Sequence, residues 1–81
     1  MLLGIAMVMR VLANGDDMFR DAKNFNQPIG QWDTSNVIYM QYMFHNSKCF
    51  NKSIVEWNTS NVTDMEDMFI WADSFDLENA P

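Results

Sequence analysis

The chain has 81 residues, room for one domain, and its five basic against eleven acidic side chains give a formal charge of −6, which repels nucleic acid and anionic lipid alike and excludes nucleic acid as the main partner. Apolar residues make up 48% and aromatics 14%, too much hydrophobic side chain for a disordered tail, so the chain has to pack against something. Eight methionines fill space without fixing geometry, so shape must come from another source.

At the N-terminus, Met1 to Met9 is the longest apolar run, followed after Arg10 by Val11-Leu12-Ala13. It is too short to cross a bilayer as a helix, and no membrane span is expected. Residues 1–15 show no repeat pattern and read as an apolar cap over the first coil of a solenoid. Two other readings stand beside it. One is a secretory leader cleaved after Val11-Leu12-Ala13, although no positive residue precedes the apolar run; the other is a misplaced start in a longer gene.

From residue 16 the sequence repeats with a period of 25: Met18-Phe19 returns as Met43-Phe44 and Met68-Phe69. The same offset relates Phe25, Phe50 and Phe75, then Ile29 and Ile54, Trp32 and Trp57, and Met40 and Met65. Between residues 16–40 and 41–65, twelve of 25 positions are identical without a gap. A third copy, 66–75, is partial, and Asp76 to Pro81 reads as a tail off the template. Within a copy, Val37, Met40, Phe44 and Ser47 fall at steps of three, four and three, as do Val62, Met65, Phe69 and Ala72, which predicts a helical stripe. Thr63 with Glu66 predicts a capping box at the start of the later helix. Pro28 and Gly30 suit an extended edge, so short strands are expected over Ile29 to Asp33 and Ile54 to Asn58. Strands stack about 4.8 Å apart and helices about 8–10 Å, so the array has to curve with strands on the concave side. The fold expected is therefore an α/β repeat: a leucine-rich-repeat-like solenoid fragment of about two and a half coils, short helices on its convex side. Its core is Phe19, Phe25, Ile29, Trp32, Val37, Met40, Phe44, Phe50, Ile54, Trp57, Val62, Met65, Phe69 and Phe75.

The run Phe25-Asn26-Gln27-Pro28-Ile29-Gly30-Gln31-Trp32-Asp33-Thr34-Ser35-Asn36-Val37, with Met40, Met43-Phe44 and the copy from Phe50 to Phe69, resembles the BspA-type leucine-rich repeat proteins. The variant in question is the repeat noted as a domain of unknown function in mycoplasma surface lipoproteins. The resemblance implies a right-handed solenoid on secreted or surface-anchored proteins, engaged in adhesion or partner recognition. It brings no catalytic residue. The second copy departs from the pattern at Lys52-Ser53 and Asn58, and Gly15 stands where Met40 and Met65 predict Met.

No residue set points to chemistry. His45 and Cys49 align with Arg20 and Ile70 and with Asn24 and Ser74, and no third group orients a nucleophile and base, so no enzyme activity is expected. Cys49, the lone cysteine, cannot close an intramolecular disulfide. The acids Asp16, Asp17, Asp21 and Asp64, Glu66, Asp67 lack the ligand rhythm of a calcium loop, and neither a metal nor another cofactor is expected. Asn51, Asn58 and Asn61 begin formal glycosylation triplets, yet Asn61 repeats Asn36, which has none, so turn-forming is the better reading of these residues. Trp32 and Trp57 recur in phase and read as buried. Ile70-Trp71 breaks its columns, standing where Arg20-Asp21 and His45-Asn46 are polar, and such a pair marks a contact surface or awaits a covering coil. The function expected is a non-catalytic recognition module at the cell surface or secreted, binding a protein or surface glycan, with Gln31, Asp33, Glu56, Asn58, Ile70 and Trp71 as contacts. Self-association or continuation of the array are further expected uses of its ends. The alternative is a structural spacer, or a fragment of a longer repeat protein, with no binding of its own.

Overall fold

The computed structural model describes residues 14–81. The cap or leader expected for residues 1–15 therefore lies outside the described residues except for Asn14 and Gly15.

Backbone conformation departs from the expected helices for a reason visible in every copy. Left-handed residues recur in pairs four apart: Asp17 and Asp21, Tyr42 and Asn46, Asp67 and Trp71, all with φ between 51° and 61°. A left-handed residue interrupts an α-helix, because its side chain crowds the following carbonyl. What forms is a ribbon of consecutive turns. Alternate amides close locally, Met43 to Met40, His45 to Tyr42 and Ser47 to Phe44, while the intervening amides of Tyr42, Phe44 and Asn46 donate to the carbonyls of Glu66, Met68 and Ile70 in the next copy. The first copy does the same, with Asp17, Phe19 and Asp21 donating to Gln41, Met43 and His45. Each of these N–H groups thus has a partner, as a buried backbone requires. Val37, Met40, Phe44 and Ser47 are all buried as a helical stripe would be, but turns carry them inward.

The expected strands are also replaced. Ile29 to Asp33 and Ile54 to Asn58 are turns and irregular chain, and the parallel pairing sits instead at single-residue bridges from Asn14 to Tyr39 and from Tyr39 to Asp64. The capping box does not form either. Glu66 N–H is held by the Asp64 carboxylate, and the Thr63 hydroxyl reaches the Ile38 carbonyl of the preceding copy. The only regular element among the described residues is a 3-10 turn, η1 (Leu77–Asn79), capped by the Asp76 side chain.

Residues 25 apart lie face to face. Phe19, Phe44 and Phe69 stack with centroids 5.4 and 5.6 Å apart, Phe25, Phe50 and Phe75 at 5.7 and 5.6 Å, and Trp32 on Trp57 at 6.4 Å. Within each copy the two phenylalanines also stack, at 4.2 to 4.3 Å. The middle layer is sealed from both sides, and Phe44 and Phe50 are fully buried, while Phe19, Phe25, Phe69 and Phe75 are only partly so. Trp57 donates its indole N–H to the Ile29 carbonyl at 2.9 Å. Trp32 finds no such acceptor among the described residues for its buried Nε1.

Two boundaries shift. The register starts at Asn14, ahead of residue 16, and it continues past Phe75, because Asp76 takes the column of Asn26 and Asn51. Asn51 N–H bonds to Asn26 Oδ1 and Asp76 N–H to Asn51 Oδ1, at 2.8 and 2.9 Å. Farther along, Asn79 O accepts from Ile54 N–H, so the expected tail lies across the second copy. One core assignment fails outright: Met65 is 41% exposed, whereas its counterpart Met40 is buried. Met40 donates its N–H to Asp64 and is roofed by the third copy, and no described residue roofs Met65.

Candidate interaction surface

The first group of sequence-derived contacts comes from the columns Gln31/Glu56 and Asp33/Asn58. Gln31 and Glu56 are exposed at turns that come after Ile29 and Ile54, the buried residues that anchor them. Asp33 and Asn58 perform a structural task as well. The Asp33 carboxylate accepts from the N–H and hydroxyl of Ser35, and the Asn58 side-chain oxygen accepts from the N–H and hydroxyl of Ser60, at 2.6 to 3.0 Å. These Asx-type turns fix the corner after each tryptophan. The Asn58 carbonyl also accepts from the buried Thr34 hydroxyl of the preceding copy. Asp33 and Asn58 thus set the shape of the patch, and Gln31 and Glu56 have their side chains available to contact a ligand.

The second group is Ile70 and Trp71. They are 41% and 63% exposed. Trp71 leans edge-on against His45 at 5.2 Å, and His45 in turn meets Tyr42 at 5.9 Å, with the Arg20 guanidinium 5.3 Å from the Tyr42 ring centre. The Tyr42 hydroxyl donates to Glu66 at 3.2 Å, and the negative charge of Glu66, then that hydrogen bond, hold the phenol above its ordinary value of 10.0. Arg20 is paired with Asp17 at 3.3 Å and Lys48 with Asp73 at 3.1 Å. This second group belongs to the ribbon of turns, whereas Gln31 and Glu56 belong to the segments beside Trp32 and Trp57.

Sequence reasoning missed Tyr42 and the role of His45, because neither repeats down its column. It also missed the Asn26–Asn51–Asp76 ladder, for which the signal was present in the two in-phase asparagines. Asn51 begins a formal glycosylation triplet, and its side-chain oxygen accepts from Asp76 N–H and the Asn79 side-chain amide, both at 2.9 Å. Cys49 is exposed, and no group of three or more His, Cys, Asp or Glu among the described residues is arranged to hold a metal ion.

Among known families, the model described as "Mycoplasma protein of unknown function, DUF285" matches residues 8–80. No curated protein and no solved structure matches the chain.

Proposed function

The chain belongs to that family, and on this premise we propose that it is a non-catalytic recognition module of the BspA-type leucine-rich repeat kind, a solenoid fragment displayed on a cell surface or secreted. Its ligand is a protein or a surface glycan. The observation that carries this reading is the contrast between inward and outward columns. Ile29/Ile54, Trp32/Trp57, Phe25/Phe50 and Val37/Val62 are the same residue in both copies and pack inward, whereas the exposed Gln31/Glu56 and the half-buried to exposed Asp33/Asn58 differ, among exposed columns such as Asn26/Asn51 and Asn36/Asn61 that are kept. A repeated scaffold with varied exposed positions is how repeat proteins present a binding face.

Immobilised full-length chain, probed with a glycan array and with solubilised surface proteins of host cells, tests the reading. Capture is expected, with a loss of about tenfold in affinity, about 1.4 kcal/mol, on the double substitution Gln31→Ala and Glu56→Ala. Absent capture supports the alternative of a spacer or array fragment without binding of its own, and capture that survives the double substitution unchanged overturns the assignment of Gln31 and Glu56 as contacts.

A further inference from the structure

Each layer of turns has two chemically different faces. In the second copy the N–H groups of Met40, Tyr42, Phe44 and Asn46 point to the third copy, while the carbonyls of Tyr39, Gln41, Met43 and His45 point to the first. Within residues 39–46 one side offers donors and the other acceptors, while the flanking carbonyls of Ile38 and Lys48 accept from Thr63 and Ser74 of the third copy. The third copy repeats the local bonds, Met68 to Met65, Ile70 to Asp67 and Ala72 to Phe69, and repeats the left-handed residues at 67 and 71. Its amides at Met65, Asp67, Phe69 and Trp71 therefore point outward, and no described residue accepts from them. At the opposite end the carbonyls of Asn14, Asp16, Met18 and Arg20 hold the places of Tyr39, Gln41, Met43 and His45, and no described residue donates to them.

We propose that these two ends bind each other between chains: the outer face of the third copy docks on the first copy of a second chain. The N–H groups of Met65, Asp67, Phe69 and Trp71 donate to the carbonyls of Asn14, Asp16, Met18 and Arg20, and Phe69 and Phe75 stack on Phe19 and Phe25 of that chain. Within residues 65–71 the outward backbone groups are donors, which find acceptors in the carbonyls of Asn14 to Arg20 and not in one another, and this makes the contact heterologous, head to tail. Among the described residues, the segment from Asp76 to Asn79 lies over Ile54 and covers one half of this end. The open half is the one that leaves Ile70, Trp71 and Met65 in water. Acids outnumber bases on both surfaces, Asp64, Glu66 and Asp67 on one and Asp16, Asp17 and Asp21 against Arg20 on the other, where Arg20 is paired with Asp17, so added salt strengthens the contact by screening the remaining like charge. The proposal concerns the end of the stack and is independent of the recognition reading, whose Gln31 and Glu56 it does not use.

The test uses the full chain with Cys49→Ser, in two forms, Trp71→Cys and Asp21→Cys. Columns 21 and 46 already touch between layers, through Asn46 Nδ2 and Asp21 Oδ1 at 2.8 Å, and Trp71 stands in the same relation to Asp21 of a following chain. The two forms are mixed with glutathione disulfide as oxidant in about 0.5 M sodium chloride, where the Debye length is roughly 4 Å. The mixed disulfide is expected in about tenfold or greater excess over either self-disulfide, and over a control mixture of Glu78→Cys with Asp21→Cys. Equal or predominant pairing of Trp71→Cys with itself, or a mixed yield no higher than the control, overturns the proposal. Sedimentation of the unsubstituted chain in the same salt decides independently of whether the cysteine forms fold. Its mean mass is expected to rise between about 1 μM and about 1 mM, and a monomer throughout overturns the proposal.

Discussion

Phe44 and Phe69 occupy the same column and differ only in which layers cover them, so truncating each to Ala separates the effect of stacking from that of residue type. Phe44 is fully buried and meets four rings: Phe19 at 5.4 Å, Phe50 at 4.3 Å, Trp57 at 6.1 Å and Phe69 at 5.6 Å. Phe69 is half-buried and meets two, Phe44 at 5.6 Å and Phe75 at 4.3 Å. Deleting a buried phenylalanine costs about 3–5 kcal/mol, and aromatic pairs add about 0.5–1.5 kcal/mol each beyond area burial. Phe44→Ala is therefore expected to cost about 4 kcal/mol and Phe69→Ala about half of that. A domain of this size has on the order of 4–12 kcal/mol in total, so the first change removes much of it. Urea unfolding followed by tryptophan fluorescence measures both, with Phe44→Leu as a milder form should the alanine variant fail to fold. Equal losses at the two positions, or a larger loss at Phe69, would refute the layered account of stability.

Gly30→Ala is expected to cost about 1–3 kcal/mol, since a Cβ there would stand 2.6 Å from the Ser53 backbone carbonyl of the next copy and would push the layers apart; thermal unfolding reads it. Asn51→Ala removes the acceptor for Asp76 N–H and for the Asn79 amide, costing about 1–2 kcal/mol and releasing the C-terminal segment to carboxypeptidase faster than in the parent chain. For Tyr42, Glu66→Gln is expected to lower the phenol's ionisation pH in a spectrophotometric titration, because Glu66 is the main cause of its upward displacement. The sign comes from linkage: the folded chain holds this proton more tightly, so the contribution to stability is complete below the ordinary value of 10.0 and is lost as pH rises through the folded one. An unchanged titration in the variant would show that the Glu66 contact does not persist in solution.

Period and column membership were legible in the residues themselves. A 25-residue offset that returns Phe, Ile and Trp in phase places like side chains over like, and Phe19, Phe44 and Phe69 do lie ring on ring. The three-four-three spacing correctly marked Val37, Met40, Phe44 and Ser47 as inward. It could not tell a helix from a run of turns, because both bring every third or fourth residue to one side. That choice was made between copies. An amide that donates to the layer above is withdrawn from its own helix, and the left-handed residues that permit this include Tyr42 and Trp71, whose side chains show no local preference for that conformation. Tertiary contact likewise decided the ends. Asp76 and Asn79 belong to the stack because Asn51 and Ile54 hold them, although nothing in their own identities continues the template. Met65 is exposed, despite matching the buried Met40, because burial in a stack depends on the next layer and not on the residue.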